Sequence, residues 1–232
     1  MKSFRTTAGP FAERPYYRLD EIERICAEEL QNGGLYPADP EAIRIDRFIE
    51  KRFSVVPSYQ DLGDGVLGYT KFGKNGVEEI VIAEGLDAEG SVSAERRIRS
   101  TLAHEGGHGL LHAHLFLDSS QVSLFTESKP SVPTILCRDQ TDGTQSKQYR
   151  GQWWEYQANR CIGSLLMPRP LALGVVQEFS TVRGRLNLLV LEETNRRRAV
   201  DRLSQVFQVN PVVAEIRLSE LFRKEERVQE AF

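Results

Sequence analysis

The chain has 232 residues, enough for one well-packed domain with a small appendage, so neither disulfides nor a structural metal is needed to hold it together. Hydrophobic residues at 40% and charged residues at 27% exclude a disordered or membrane-embedded class. A formal charge of -3 excludes the global basic field used in nonspecific nucleic-acid binding, so direct nucleic-acid binding is not expected.

Residues 1–15, with Gly9, Pro10 and Pro15, read as a flexible N-terminal arm. No continuous apolar stretch marks residues 1–30 as an export signal, and no apolar run reaches bilayer length. The three cysteines, Cys26, Cys137 and Cys161, lack close CxxC spacing and read as reduced thiols. The expected location is the cytoplasm, with no membrane partner.

Two helices are predicted next, Leu19 to Gln31 and Pro40 to Phe53, separated by Gly33-Gly34 and each with an apolar face. Short β-prone runs follow at Ser54–Tyr59, Val66–Phe72 and Val77–Ala83. Turn signals at Gly63-Asp64-Gly65 and Gly73-Lys74-Asn75-Gly76 suggest a small antiparallel sheet. A long helix then starts near Ser93, read as its N-cap. Residues 118–150 read as a polar connection with a short strand at Val132–Cys137, before a helix from Gln152 to Leu166 that Met167-Pro168 ends. Residues 171–232 read as entirely helical. Within them, Arg196-Arg197-Arg198 reads as a solvated helix face.

The chemistry lies in His104-Glu105-Gly106-Gly107-His108, an HExxH pattern inside the long helix. On a helix the two histidines differ by about 40° in rotation and roughly 6 Å in height, so both imidazoles can reach one tetrahedral metal. Glu105, rotated by about 100°, can address a water beside that metal without ligating it. The pattern arises by chance in roughly one such chain in 150. Two adjacent glycines cost the helix about 2 kcal/mol of propensity, so their smallness must serve a close approach of backbone or substrate.

All four histidines fall between positions 104 and 114. His114 has a third-ligand spacing found in some zinc enzymes, but Leu111 stands where those enzymes turn the chain with glycine, and a continuing helix points His114 away. His112 lies about 12 Å along the axis from His104 and reads as a supporting or packing residue. The third ligand must come from elsewhere. Glu155, opening a helix behind Trp153-Trp154, is the best candidate, with Asp118, Glu127, Asp139 and Asp142 in competition.

Thr101-Leu102-Ala103-His104-Glu105-Gly106-Gly107-His108-Gly109-Leu110-Leu111-His112, Glu155-Tyr156-Gln157-Ala158-Asn159 and Leu165-Leu166-Met167-Pro168 together resemble the ImmA/IrrE metallopeptidases, over roughly Pro40 to Leu221. The resemblance implies an α+β, zincin-like peptidase domain over residues 16–170 and a helical, helix-turn-helix-like region over 171–232 for packing or substrate docking. It implies Zn2+ held by His104, His108 and Glu155, Glu105 as general base, and His112 and Asn159 in support. It further implies an endopeptidase whose protein substrate is a helix-turn-helix transcriptional repressor of a stress response or mobile element. The chain departs from the family pattern in Gly106, where a larger apolar residue is usual, and in the long interval between His108 and Glu155.

A different class of reading is a non-catalytic regulatory module, of antitoxin or repressor-binding type, that keeps the peptidase fold. Glu105 speaks against it, because a pure binder needs no base beside two ligands. Tyr69, Tyr156 and Arg160 have the chemistry to stabilise an oxyanion, and sequence alone does not choose among them.

Overall fold

Helix and strand signals in the first third of the chain set up a sheet against which one long helix is laid. The computed structural model describes residues 2–5, 13–122, 134–138, 153–183 and 188–222, and its architecture is mixed α+β.

The stretch expected to be a flexible arm contains two strands, β1 (Lys2–Arg5) and β2 (Glu13–Tyr16), paired antiparallel with Lys2 opposite Tyr16 and Arg5 opposite Glu13. Four-residue polar strands carry no alternation to read. What favours them is tertiary: the Phe4 and Tyr16 rings meet edge to face at 6.3 Å. Helix α1 (Leu19–Asn32) follows the apolar spacing closely and buries Ile22, Cys26 and Leu30. Helix α2 (Ile45–Phe53) starts later than the expected Pro40. The Ile43 carbonyl is instead taken by the Ile45 N–H and by Arg99 Nη2, both at 2.9 Å, which holds the preceding residues out of the helix.

Strands β3 (Ser58–Gln60), β4 (Val66–Gly73), β5 (Gly76–Ala83) and β6 (Thr134–Arg138) form one sheet in the order β3-β5-β4-β6. The sheet is mixed rather than purely antiparallel. The β4–β5 hairpin, turned at Gly76 with φ 109°, occupies one edge of β5, and β3 lies along the other edge in parallel, with Ser58 opposite Val81. Only the end of the expected run 54–59 pairs, directly after Pro57, which has no N–H to donate.

A short helix, α3 (Glu84–Glu89), ends at left-handed Gly90 and leads into α4 (Val92–Val122). Ser91, not Ser93, caps α4: its Oγ accepts the Ala94 N–H at 3.0 Å, and its carbonyl accepts the Glu95 N–H at 3.0 Å. Helix α4 packs on β4 and β5 along one side and on α2 and α5 (Trp153–Leu166) along others. A core of Ile22, Leu30, Phe48, Ile80, Ile82, Leu102 and Leu165 runs through these layers.

The C-terminal region is not entirely helical. Between α6 (Arg169–Val176) and α7 (Glu193–Phe207) lies a hairpin of β7 (Ser180–Arg183) and β8 (Leu188–Leu191). A four-residue apolar run such as Leu188–Leu191 reads as helix or strand by periodicity, and pairing decides it. Helix α8 (Pro211–Leu221) is fixed by Arg217, fully buried, which donates to the Met167 carbonyl at 3.0 Å and pairs with Glu23 and Glu220 at 2.8 and 3.1 Å. Of the three consecutive arginines, Arg197 and Arg198 are exposed as expected. Arg196 instead donates to Glu215 and Ser219 at 2.7 Å each, joining α7 to α8. Among the described residues no helix is long and apolar enough to cross a membrane.

Candidate metal centre

Three of the expected ligand residues converge. His104 and His108, four residues apart on α4, bring their Nε2 atoms to 3.0 Å, and Glu155, in the first turn of α5, places Oε2 3.2 Å from the first and Oε1 3.5 Å from the second. Four donors around a zinc at about 2.0–2.2 Å are about 3.3–3.6 Å apart along the edges of a tetrahedron, so the spacing fits one ion with a fourth position open. The electrostatics agree. Two imidazole lone pairs and a carboxylate at one point repel unless a cation lies among them. Of the acidic residues in competition for this role, Asp118 lies in α4 with its side chain outside the described residues, as do Glu127, Asp139 and Asp142 entirely.

Small residues on α4 make this convergence possible. A Cβ on Gly107 would lie 2.7 Å from Cys161 Cβ and 3.2 Å from the Ala158 carbonyl, so Gly107 is where α5 touches α4. A Cβ on Gly106 would meet Ile49 Cδ1 at 2.8 Å, so the volume of a larger apolar residue is supplied here by α2. Cys161 is fully buried beside Cys26, whose hydrogen bond pushes its thiol pKa well up, as burial does further.

Each histidine is held from behind. His104 Nδ1 lies 3.1 Å from Asn159 Oδ1, one turn after Glu155 on α5, so this nitrogen donates and Nε2 carries the lone pair that can ligate. His108 Nδ1 lies 3.0 Å from His112 Nδ1, and His112 Nε2 lies 3.0 Å from Gln157 Oε1. His112 also meets the Trp153 ring edge to face at 5.5 Å. Asn159 and His112 thus sit in the supporting positions, whereas His114 is absent from the cluster. Burial lowers the His108 pKa to about 4, more strongly than Glu155 raises it, and lowers that of His112 well below 6.5.

Glu105 is completely buried on the side facing the sheet. Thr70 of β4 places Oγ1 2.5 Å from Glu105 Oε2 and 3.2 Å from the Glu105 carbonyl, while Glu105 Oε1 has no hydrogen-bond partner among the described residues. Desolvation raises its pKa to about 7 against the lowering effects of His104 and of the Thr70 hydroxyl, with Glu155 adding to the rise. A carboxyl poised near neutrality, with one oxygen anchored and one unpaired, has the properties of a general base.

Sequence reasoning missed Thr70 and Gln157. The signal for Thr70 was present: Gly68, Thr70 and Phe72 share a face of β4, and Thr70 is the polar member of an otherwise apolar set. The same alternation turns Tyr69 to the opposite face. Arg160 is engaged with Glu220 and donates to the Tyr156 hydroxyl at 3.0 Å, so neither is drawn toward the three ligands. No protein-family model matches the chain, and no curated protein matches it.

Proposed function

We propose that this chain is a zinc-dependent endopeptidase of zincin-like fold, and that its substrate is a cytoplasmic protein of the helix-turn-helix repressor class. The reading is carried by the approach of His104 Nε2, His108 Nε2 and Glu155 to 3.0–3.5 Å beside a buried, half-anchored Glu105. The substrate class rests on the sequence resemblance to ImmA/IrrE peptidases. His104, His108 and Glu155 would hold the ion, which when bound supplies a Lewis acid for the scissile carbonyl and for water.

The protein's own groups do the rest. Asn159 and His112 fix the ligand imidazoles in orientation, and Thr70 holds Glu105 Oε2 so that Oε1 is the oxygen that takes a proton from the attacking water. The protonated Glu105 then gives that proton to the departing amine, and Thr70 serves both states, because it donates to Oε2 whether Oε1 is bare or protonated.

Metal content tests this. Protein purified without added metal should contain about one zinc per chain, absent from His108→Ala and Glu155→Ala and retained in Glu105→Gln. A profile of new protein N-termini in cells with wild type but not with Glu105→Gln would then identify the cleaved regulator. Failure to bind supplied zinc would overturn the peptidase reading and favour a repressor-binding module.

A further inference from the structure

The hydrogen-bond chain behind His108 ends on a group whose role is fixed by its chemistry. Pro15 has a carbonyl and no N–H, so Gln157 must turn its Nε2 toward it, at 2.8 Å. The Gln157 Oε1 then faces His112 Nε2 at 3.0 Å, and an amide oxygen only accepts, so the proton of the fully buried, neutral His112 ring sits on Nε2. His112 Nδ1 is left as an acceptor 3.0 Å from His108 Nδ1. His108 must therefore carry its proton on Nδ1, and its Nε2 keeps a bare lone pair on the side of His104 and Glu155. His108, His112, Gln157 and Pro15 are all buried, so no solvent intervenes to reverse any link.

We propose that Gln157 is a positioning residue for the His108 ligand, and that the Pro15 carbonyl of the N-terminal hairpin sets the direction of the whole chain. The inference rests on the metal-site reading. An amide turned over would present its NH2 to His112 and move the His112 proton to Nδ1. His108 Nδ1 would then become the acceptor, and the His108 proton would sit on Nε2 and block the metal. The two directions exclude one another, and the β1–β2 hairpin, though far from the motif in sequence, selects the ligating one.

Two measurements on the full chain test it. The first is nitrogen-15 NMR of the histidine side chains in metal-free wild type, expected to place the His112 proton on Nε2 and the His108 proton on Nδ1. A His112 proton on Nδ1 overturns the proposal, and this readout needs neither zinc nor a variant. The second is zinc affinity by chelator competition, with folding checked by circular dichroism. Gln157→Leu, which gives His112 no acceptor, should bind on the order of 10–100-fold more weakly. Gln157→Glu, which as the buried carboxylic acid keeps an acceptor toward His112 and a donor toward the Pro15 carbonyl, should stay within a few-fold of wild type. Wild-type affinity in folded Gln157→Leu, or an equal loss in both variants, overturns the proposal. Absence of zinc binding by the wild type overturns the metal reading instead, and the tautomers still decide the direction of the chain.

Discussion

Replacing Glu105 by Gln should make the metal-free protein more stable, and increasingly so with rising pH. A carboxyl whose folded pKa lies above its unfolded value binds more protons folded than unfolded between the two. Stability therefore falls as pH rises from the ordinary 4.5 through about 7, and stays reduced above it. At about 1.4 kcal/mol per pKa unit, the buried carboxylate costs the wild type about 3 kcal/mol at pH 8 and about 1 kcal/mol at pH 5. Glutamine is neutral throughout and avoids this cost; titrating groups not coupled to Glu105 cancel in the comparison, and His104 and Glu155, which are coupled to it, enter through effects smaller than desolvation. Urea unfolding in the presence of a chelator, followed by the fluorescence of buried Trp153, measures the difference directly. Equal midpoints at pH 8, or a difference that does not shrink between pH 8 and pH 5, would refute the reasoning. The expected outcome is the exchange of stability for function that the proposed role of Glu105 as general base entails.

Thr70→Val should retain zinc but lose a substantial part of the roughly 10²–10⁴-fold contribution of a general base, because both Glu105 oxygens are then unanchored, while Thr70→Ser restores activity. Turnover of the identified substrate, with metal content measured alongside, distinguishes loss of positioning from loss of the ion. The two glycines of the motif should respond differently to alanine. Gly107→Ala drives a Cβ into Cys161 Cβ and the Ala158 backbone and should destabilise by about 1–3 kcal/mol, whereas Gly106→Ala meets only the movable end of Ile49 and gains helix propensity of about 1 kcal/mol. Thermal unfolding of the two variants checks the order, and a Gly106→Ala protein less stable than Gly107→Ala would contradict the packing account.

Local signals carried much of this structure. Apolar spacing placed α1 closely, Met167-Pro168 marked the C-terminal end of α5, and the four-residue interval of the histidines put both on one face of α4. What was not legible depended on partners remote in the chain. The parallel course of β3 follows from which edge of β5 the β4 hairpin leaves open, and the start of α2 from Arg99 claiming the Ile43 carbonyl. The β7–β8 hairpin and the pairing of β1 with β2 involve runs too short to show a period. At the candidate metal centre, residue type left Glu155 in competition with four other carboxylates. Only the docking of α5 on Gly107 brings Glu155 to the two imidazoles.

That docking also separates two kinds of change open to the sequence. Residues 109–154, which include the rest of α4 with His112 and strand β6, lie between His108 and Glu155, yet the register of α4 against α5 is set by contacts at Gly107, Ala158 and Cys161 rather than by the segments that join the elements. Doubling the length of a connection costs only about 0.6 kcal/mol of closure entropy, and that cost falls on folding, not on the arrangement of the ligands. Insertions and deletions in the segments that join α4, β6 and α5 can therefore accumulate while the arrangement of the three candidate ligands is unaltered. Drift at the three contact positions has no such freedom, so descendants of this chain would diverge in the connecting span well before they diverge in the cradle.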